Sequence, residues 1–340
     1  MEALSDDDRA ATRASATCLC WKRLSDLPPD LRMMQGMFQA STDPNAIARP
    51  VRLSYSAVFP PANMPLRGVV VFLHGINEHS ERYAHAWEAL CGMGFGVIAY
   101  DLRSHGNSYM DVGGLRAHVE YFQEFVDDTN DFITFAKTEI LPKMRVAEDV
   151  KLVIMGMSLG TLVSVHTVLS GVHTFSGIVL VAPAVSAEMT FVLRVMKLIS
   201  GVLRAVAPRA RLVPGVNADY VCRDPLVNKD YDADPLTTRE KLTCRIASEV
   251  SRAMERLDQD RRVESATSAF CQVPILFMMG AEDKVTSVPE AQRFYRRLAS
   301  PDKQFEMIDG AYHVLFEDLE RERVLNTIEH WLHKRFELPN

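Results

Sequence analysis

Five short apolar runs punctuate the chain, at 69–73, 96–100, 151–155, 177–181 and 274–279, each bounded by Gly, Pro or Asp. A run this short with no polar alternation has no solvated face, so it reads as a strand covered on both sides, as in a parallel sheet. Helical patterns separate the runs. Over 121–141, Phe122, Phe125, Val126, Phe132, Ile133, Ala136 and Ile140 fall on one stripe. Strand and helix in alternation predict an α/β fold with a mostly parallel sheet and helices on both faces.

The alternation breaks once. Between Pro183 and Pro274 lie roughly 90 residues, too many for a loop, which open on an apolar helix pattern and continue in a charge-rich one. Residues 185–272 are therefore expected to form an inserted helical cap on a core made of 49–184 and 273–340. Residues 1–48, of mixed polarity with Pro28, Pro29 and Pro44, are expected to be a poorly ordered N-terminal extension.

Composition removes several classes of function. A net charge of −6 gives no reason to expect a nucleic-acid partner. No apolar run approaches the ~18 residues needed to span a bilayer, and the chain opens on Asp6, Asp7 and Asp8 without an apolar signal segment. Six cysteines at scattered spacing read as free thiols of a cytoplasmic protein, with lipidation of Cys18 or Cys20 as the alternative. His330 and His333 are three apart without a third ligand, so neither a metal nor an organic cofactor is expected.

The chemistry centres on Gly156-Met157-Ser158-Leu159-Gly160, which follows the strand Lys151–Met155 and precedes the apolar helix pattern Thr161–Leu169. A strand-to-helix turn this tight crowds its apex, and flanking glycines relieve the crowding. Ser158 is then displayed at a helix N-terminus, where the dipole favours a developing anion. A nucleophilic serine needs a base, and the base an orienting carboxylate, each in a loop after a strand. His313, after the strand Lys303–Ile308, is the base. Asp283, after the strand Pro274–Met279, is the acid, with Glu282 and Asp309 as rivals. Ser287 and Glu290 read as a capping box opening the next helix.

The oxyanion hole would use the N–H groups of Leu159 and Ile76, the latter in the loop His74–Ser80 after the first core strand. His74 and His105 read as turn-stabilising groups. Glu78 and Arg82 are spaced i,i+4, as either a helix-surface ion pair or headgroup contacts.

Together these residues resemble the monoacylglycerol lipase and lysophospholipase branch of the α/β-hydrolases. The resemblance runs from about Val51 to the C-terminus. It is carried by His74-Gly-Ile-Asn-Glu-His-Ser-Glu-Arg-Tyr83, Asp101-x-x-x-His105-Gly106-x-Ser108, Gly156-x-Ser158-x-Gly160, Asp234-Pro235-Leu236, Gly280-x-x-Asp283 and Gly310-Ala311-Tyr312-His313-Val314-Leu315. It implies an α/β-hydrolase fold and hydrolysis of the carboxylic ester of monoacylglycerol to fatty acid and glycerol, with a lysophospholipase or broad-specificity carboxylesterase as the alternative and a non-catalytic ligand-binding scaffold as the remote one. Tyr231 from the cap, Glu78 and Arg82 would then lie near the glycerol end. Two positions depart from the family's pattern. Met157 stands where members usually carry His, and Phe316 replaces a second His of the animal enzymes beside the glycerol.

The segment 189–206 places Met189, Val192, Leu193, Val195, Met196, Leu198, Ile199, Val202, Leu203 and Val206 around most of a helix, with Arg194, Lys197 and Arg204 on a thin basic edge. Such a helix is either buried in the cap or lies in a bilayer interface, and peripheral membrane contact through it is the expectation.

Overall fold

The structure is a computed structural model that describes residues 22–40, 51–110, 114–186 and 191–338, the side chains of 191–197 excepted. Its strands are β1 (Arg32–Ala40), β2 (Val51–Phe59), β3 (Gly68–Leu73), β4 (Phe95–Tyr100), β5 (Leu152–Met157), β6 (Gly177–Val181), β7 (Arg211–Val213), β8 (Leu242–Thr243), β9 (Ile275–Gly280) and β10 (Lys303–Ile308). Eight of them form one sheet in the order β1-β2-β4-β3-β5-β6-β9-β10. From β4 to β10 all neighbours are parallel, while β2 pairs antiparallel with β4 and with β1.

Every residue of β3, β4, β5, β6 and β9 is buried. The two-residue period of a strand divides them between two cores. Val69, Val71 and Leu73 pack on one face of the sheet with Leu159 and Leu162. Val70 and Phe72 pack on the other with Tyr83 and Trp87. Crossovers run through α1 (Ala84–Gly92), α2 (Gln123–Phe135), α3 (Leu159–Ser170) and α7 (Val288–Arg297), and α8 (Arg321–His333) closes the core. The helix predicted over 121–141 is regular only as far as Phe135 and continues as a π-helical turn, Ala136–Ile140.

Two sequence expectations need correction here. Residues 32–40, assigned to a poorly ordered extension, pair with β2 at nine register positions from Arg32↔Phe59 to Ala40↔Val51. Leu24 and Leu27 are also buried, against the core face that holds Trp87. Ser287 does cap α7, but its side chain makes no capping bond, and Glu290 instead pairs with Arg293 at 2.7 Å.

Between β6 and β9 the chain leaves the sheet. It forms α4 (Phe191–Val206), the β7–β8 ribbon, α5 (Pro225–Ala233) and α6 (Cys244–Gln259). Asp224 caps α5 by accepting from the Leu226 N–H, with Pro225 in the first turn, where its missing N–H costs nothing. Thr243 caps α6 in the same way through Ile246. Helix α4 packs on α6, and its Arg204 reaches Glu249.

Candidate active site

Ser158 sits at the apex between β5 and α3 with φ 52° and ψ −118°, a conformation an L-residue adopts only when its surroundings force it. Two glycines make the turn possible. A Cβ on Gly156 would come within 2.5 Å of the Gly160 main chain, and one on Gly160 would run into the carbonyl of Leu73. The apex is fixed by Ser158 N–H donating to Val181 O at 3.0 Å. Thr161 donates from its side chain to Ser158 O and accepts from Ala184 N–H, binding the turn to the end of β6.

His313 lies in the loop after β10, and its Nε2 is 2.8 Å from Ser158 Oγ. On the far side its Nδ1 is 2.8 Å from Asp283 Oδ2, in the loop after β9. An ionised carboxylate only accepts, so Nδ1 carries the proton and donates it, and Nε2 is left as the acceptor of the serine hydroxyl. Asp283 Oδ1 accepts from the N–H groups of Val285 and Thr286, and Oδ2 also accepts from the Thr286 hydroxyl. Burial alone would raise the Asp283 pKa. The attraction of the His313 imidazolium, which forms when Nε2 takes up a proton, the His313 hydrogen bond and the two N–H groups outweigh it and hold the acid below its ordinary value. The rival acids are placed otherwise. Asp309 is largely exposed beside Arg323, and Glu282 donates its N–H to Ala311 O without approaching the imidazole.

The loop after β3 faces the serine. His74 donates from Nδ1 to Gly75 O at 2.7 Å and accepts the Leu102 N–H on Nε2 at 2.9 Å. This pins the neutral tautomer, in line with a pKa that burial pushes down to about 3. Glu78 Oε1 accepts from the Gly75 N–H and, at 2.7 Å, from the Tyr83 hydroxyl. Gly75 is confined between Glu78 and Ser158, and a Cβ there would lie 2.6 Å from Glu78 Oε1. Ile76 and Asn77 complete this wall of a cavity that reaches Ser158 and His313. Leu159 N–H opens the first turn of α3, where no carbonyl of the same helix can take it.

The cap closes the cavity with Val216, Val221, Val227 and Tyr231. It is tied to the core loops at several points. The Tyr231 hydroxyl donates to Asn77 O at 2.6 Å, Thr238 N–H donates to the same carbonyl at 3.0 Å, and Val314 N–H donates to Val221 O at 2.9 Å. His79 Nε2 is 2.8 Å from Asp234 Oδ2.

Two residues expected at the headgroup, Arg82 and Phe316, lie outside the cavity lining. Arg82 is fully buried behind the wall and pairs with Glu317 at 3.0 Å and Asp230 at 3.1 Å, so the proposed Glu78–Arg82 surface pair does not form. Phe316 is wholly buried and lies edge-on to Phe72 and Tyr83, at 5.9 and 5.7 Å between ring centres, outside the cavity lining. Tyr231 does line the cavity, but its proton is committed to Asn77. Glu317, which does face the cavity, was missed by the sequence reading. Its partner Arg82 lies 235 positions away, beyond any local signal.

Comparison with known proteins places this geometry in a family. The sequence matches the Hydrolase_4 family, serine aminopeptidase S33, over residues 64–320. It is 32% identical over 290 residues to a monoacylglycerol lipase of Mycolicibacterium smegmatis, covering 83% of this chain and 93% of the relative. It is 28% identical over 260 residues to phospholipase YtpA of Bacillus subtilis, covering 76% and 92%. The crystal structure of a Paleococcus ferrophilus monoacylglycerol lipase superposes with a TM-score of 0.67 at 28% identity, covering 83% of this chain and 99% of that one. The chain is a hydrolase of the α/β-hydrolase fold and belongs to the Hydrolase_4 (serine aminopeptidase S33) family.

Proposed function

We propose that the chain hydrolyses the carboxylic ester of monoacylglycerol, with Ser158 as nucleophile, His313 as general base and Asp283 as the acid that orients it. The observation that carries this reading is the unbroken hydrogen-bonded chain from Asp283 through His313 to Ser158, opening on a cavity with apolar and polar walls. As Ser158 Oγ attacks the acyl carbon, its proton passes to His313 Nε2, and the carbonyl oxygen takes the negative charge facing the Leu159 and Ile76 N–H groups. Collapse expels glycerol, whose alkoxide oxygen receives the proton from His313. Water, deprotonated by the same imidazole, then attacks the acyl-serine, and collapse releases fatty acid and returns the proton to Ser158. Valines 216, 221 and 227 offer apolar surface for the acyl chain.

The cap helix supports a location at the bilayer surface. Leu198 is 86% exposed, Val206 79% and Val202 66%, with Ile199 beside them. An apolar face open to water at these positions fits insertion among lipid headgroups, and it spares the acyl chain a cost of ~0.8 kcal/mol per methylene on transfer through water. Among the described residues no helix is long and apolar enough to cross a membrane, and the contact we propose is peripheral. Cys91, Cys222, Cys244 and Cys271 are buried free thiols, which suits a cytoplasmic protein.

The test is a matched panel of long-chain monoacylglycerol, triacylglycerol, a short-chain ester and an aminoacyl anilide, the last required by the family's descriptive name. Monoacylglycerol should have the highest kcat/KM. Preferential release of the aniline would overturn the reading.

A further inference from the structure

The polar wall of the cavity is rich in acceptors and poor in free cations. Glu78, Glu317 and Asn77 all line it. Asn77 is 6% exposed, and its Oδ1 has no hydrogen-bond partner among the described residues. Directly behind them lies Arg82, but its two terminal nitrogens are taken by Glu317 and Asp230, and the ring of Tyr231 covers it at 5.0 Å. The other cation at the wall, Arg239, is held by Asp232 and Asn228 and stacks at 4.3 Å on Tyr231. Asp234 lies 2.8 Å from His79 and 3.7 Å from the Arg82 guanidinium. The two arginines therefore meet four carboxylates, those of Glu317, Asp230, Asp234 and Asp232, and Glu78 stands on the same wall without pairing to either. Glu317 is pushed up to about 7, first by burial, with Glu78 and Asp230 adding to it against the pull of Arg82.

A glycerol moiety suits such a wall, because each hydroxyl brings a proton that Asn77 Oδ1 or a carboxylate oxygen can accept. A phosphate brings acceptors and negative charge to a wall that already holds Glu78 and Glu317, and both nearby guanidiniums are already engaged by carboxylates. We propose that this wall selects a neutral, hydroxyl-bearing alcohol and turns away the phosphate of a lysophospholipid, with Glu317 as a specificity-determining residue. The proposal rests on the ester-hydrolase reading above. It bears on the choice between a glycerol ester and a phospholipid, since the chain's relatives include a monoacylglycerol lipase and a phospholipase.

The experiment compares 1-oleoylglycerol, 1-oleoyl-lysophosphatidate and methyl oleate in the same neutral detergent micelles. In the unaltered protein kcat/KM for oleoylglycerol should exceed that for lysophosphatidate by more than about 200-fold, beyond what a single methylene discriminates. Assayed above about pH 8, where Glu317 is ionised, Glu317→Gln should narrow that ratio by about tenfold, mainly through KM for the phosphate ester, since one like charge is gone. Asp230→Asn, at a half-exposed cap position where folding is less at risk, should narrow it in the same direction. An unchanged ratio in both variants would overturn the proposal. So would cleavage of lysophosphatidate within about threefold of oleoylglycerol by a protein that also cleaves methyl oleate. Failure to cleave any of the three esters would overturn the hydrolase reading itself, and this inference with it.

Discussion

The Tyr231 hydroxyl of the cap donates its proton to the main-chain carbonyl of Asn77, 2.6 Å away. Asn77 sits at φ 68° directly after Ile76, so the cap bond bears on the segment proposed to stabilise the oxyanion. Tyr231 thus reads as a positioning residue more than a headgroup contact. Tyr231→Phe removes that donor while Thr238 N–H still serves the carbonyl, and the net worth of one such bond is about 1 kcal/mol. We expect kcat to fall by about three- to tenfold, equally for monoacylglycerol and for its methyl ester. A loss confined to the glycerol ester, seen in KM, would return Tyr231 to the headgroup.

Asp283 accepts four hydrogen bonds and Asp309 none that touch the imidazole. Asp283→Ala should lower kcat by about 10⁴, the cost of losing the correct tautomer in such a triad. Asp309→Ala should leave kcat within about twofold, as expected for an exposed ion pair. Near-normal turnover by Asp283→Ala would move the orienting role elsewhere.

Burial pulls the His85 pKa down to about 4, although its Nε2–H donates to Phe316 O at 2.8 Å. The unfolded chain takes up this proton near pH 6.5 and the native protein near 4, so between those values the unfolded state binds more protons and stability falls as pH falls. His85→Gln keeps a donor for Phe316 without the titration. Relative to that variant, the unaltered protein should lose about 3 kcal/mol between pH 7 and pH 4, read from urea midpoints at each pH. Parallel pH profiles would show that His85 takes up its proton as readily in the native protein as in the unfolded chain, contradicting a buried neutral imidazole.

What could be read from the sequence tracks how local its physical signal is. The strands β3 to β6 and β9 are buried on both faces, so their apolar runs announce them. The Ser158 turn carries its glycines within two residues. Strand β1 gives no such signal, because it is a sheet edge with Met33 and Met37 exposed and only Phe38 and Ala40 buried. Phe316 stands three residues after His313, yet the chain turns so that its ring enters the Phe72–Tyr83 cluster rather than the cavity. The pairing of Arg82 with Glu317 depends on two loops that only the finished sheet brings together.

The exposed face of α4 yields a test of membrane contact. The side chains of 191–197 lie outside the described residues, so the pair to vary is Leu198 and Val202, both exposed. Leu198→Asp with Val202→Asp should weaken binding to phosphatidylcholine vesicles and slow cleavage of vesicle-borne monoacylglycerol by about tenfold or more. Hydrolysis of a soluble short-chain ester should change by less than about twofold, since surface substitutions seldom disturb the fold. Equal slowing of both substrates would make the helix part of the cap's own packing.

The central claim is that Ser158 and His313 act as one unit on an acyl ester, and a double-mutant cycle on long-chain monoacylglycerol measures it directly. Ser158→Ala and His313→Ala should each lower kcat by something on the order of 10⁶, and the double variant should cost little more than either alone. Additive losses, or turnover by Ser158→Ala within about tenfold of the unaltered protein, would contradict the account.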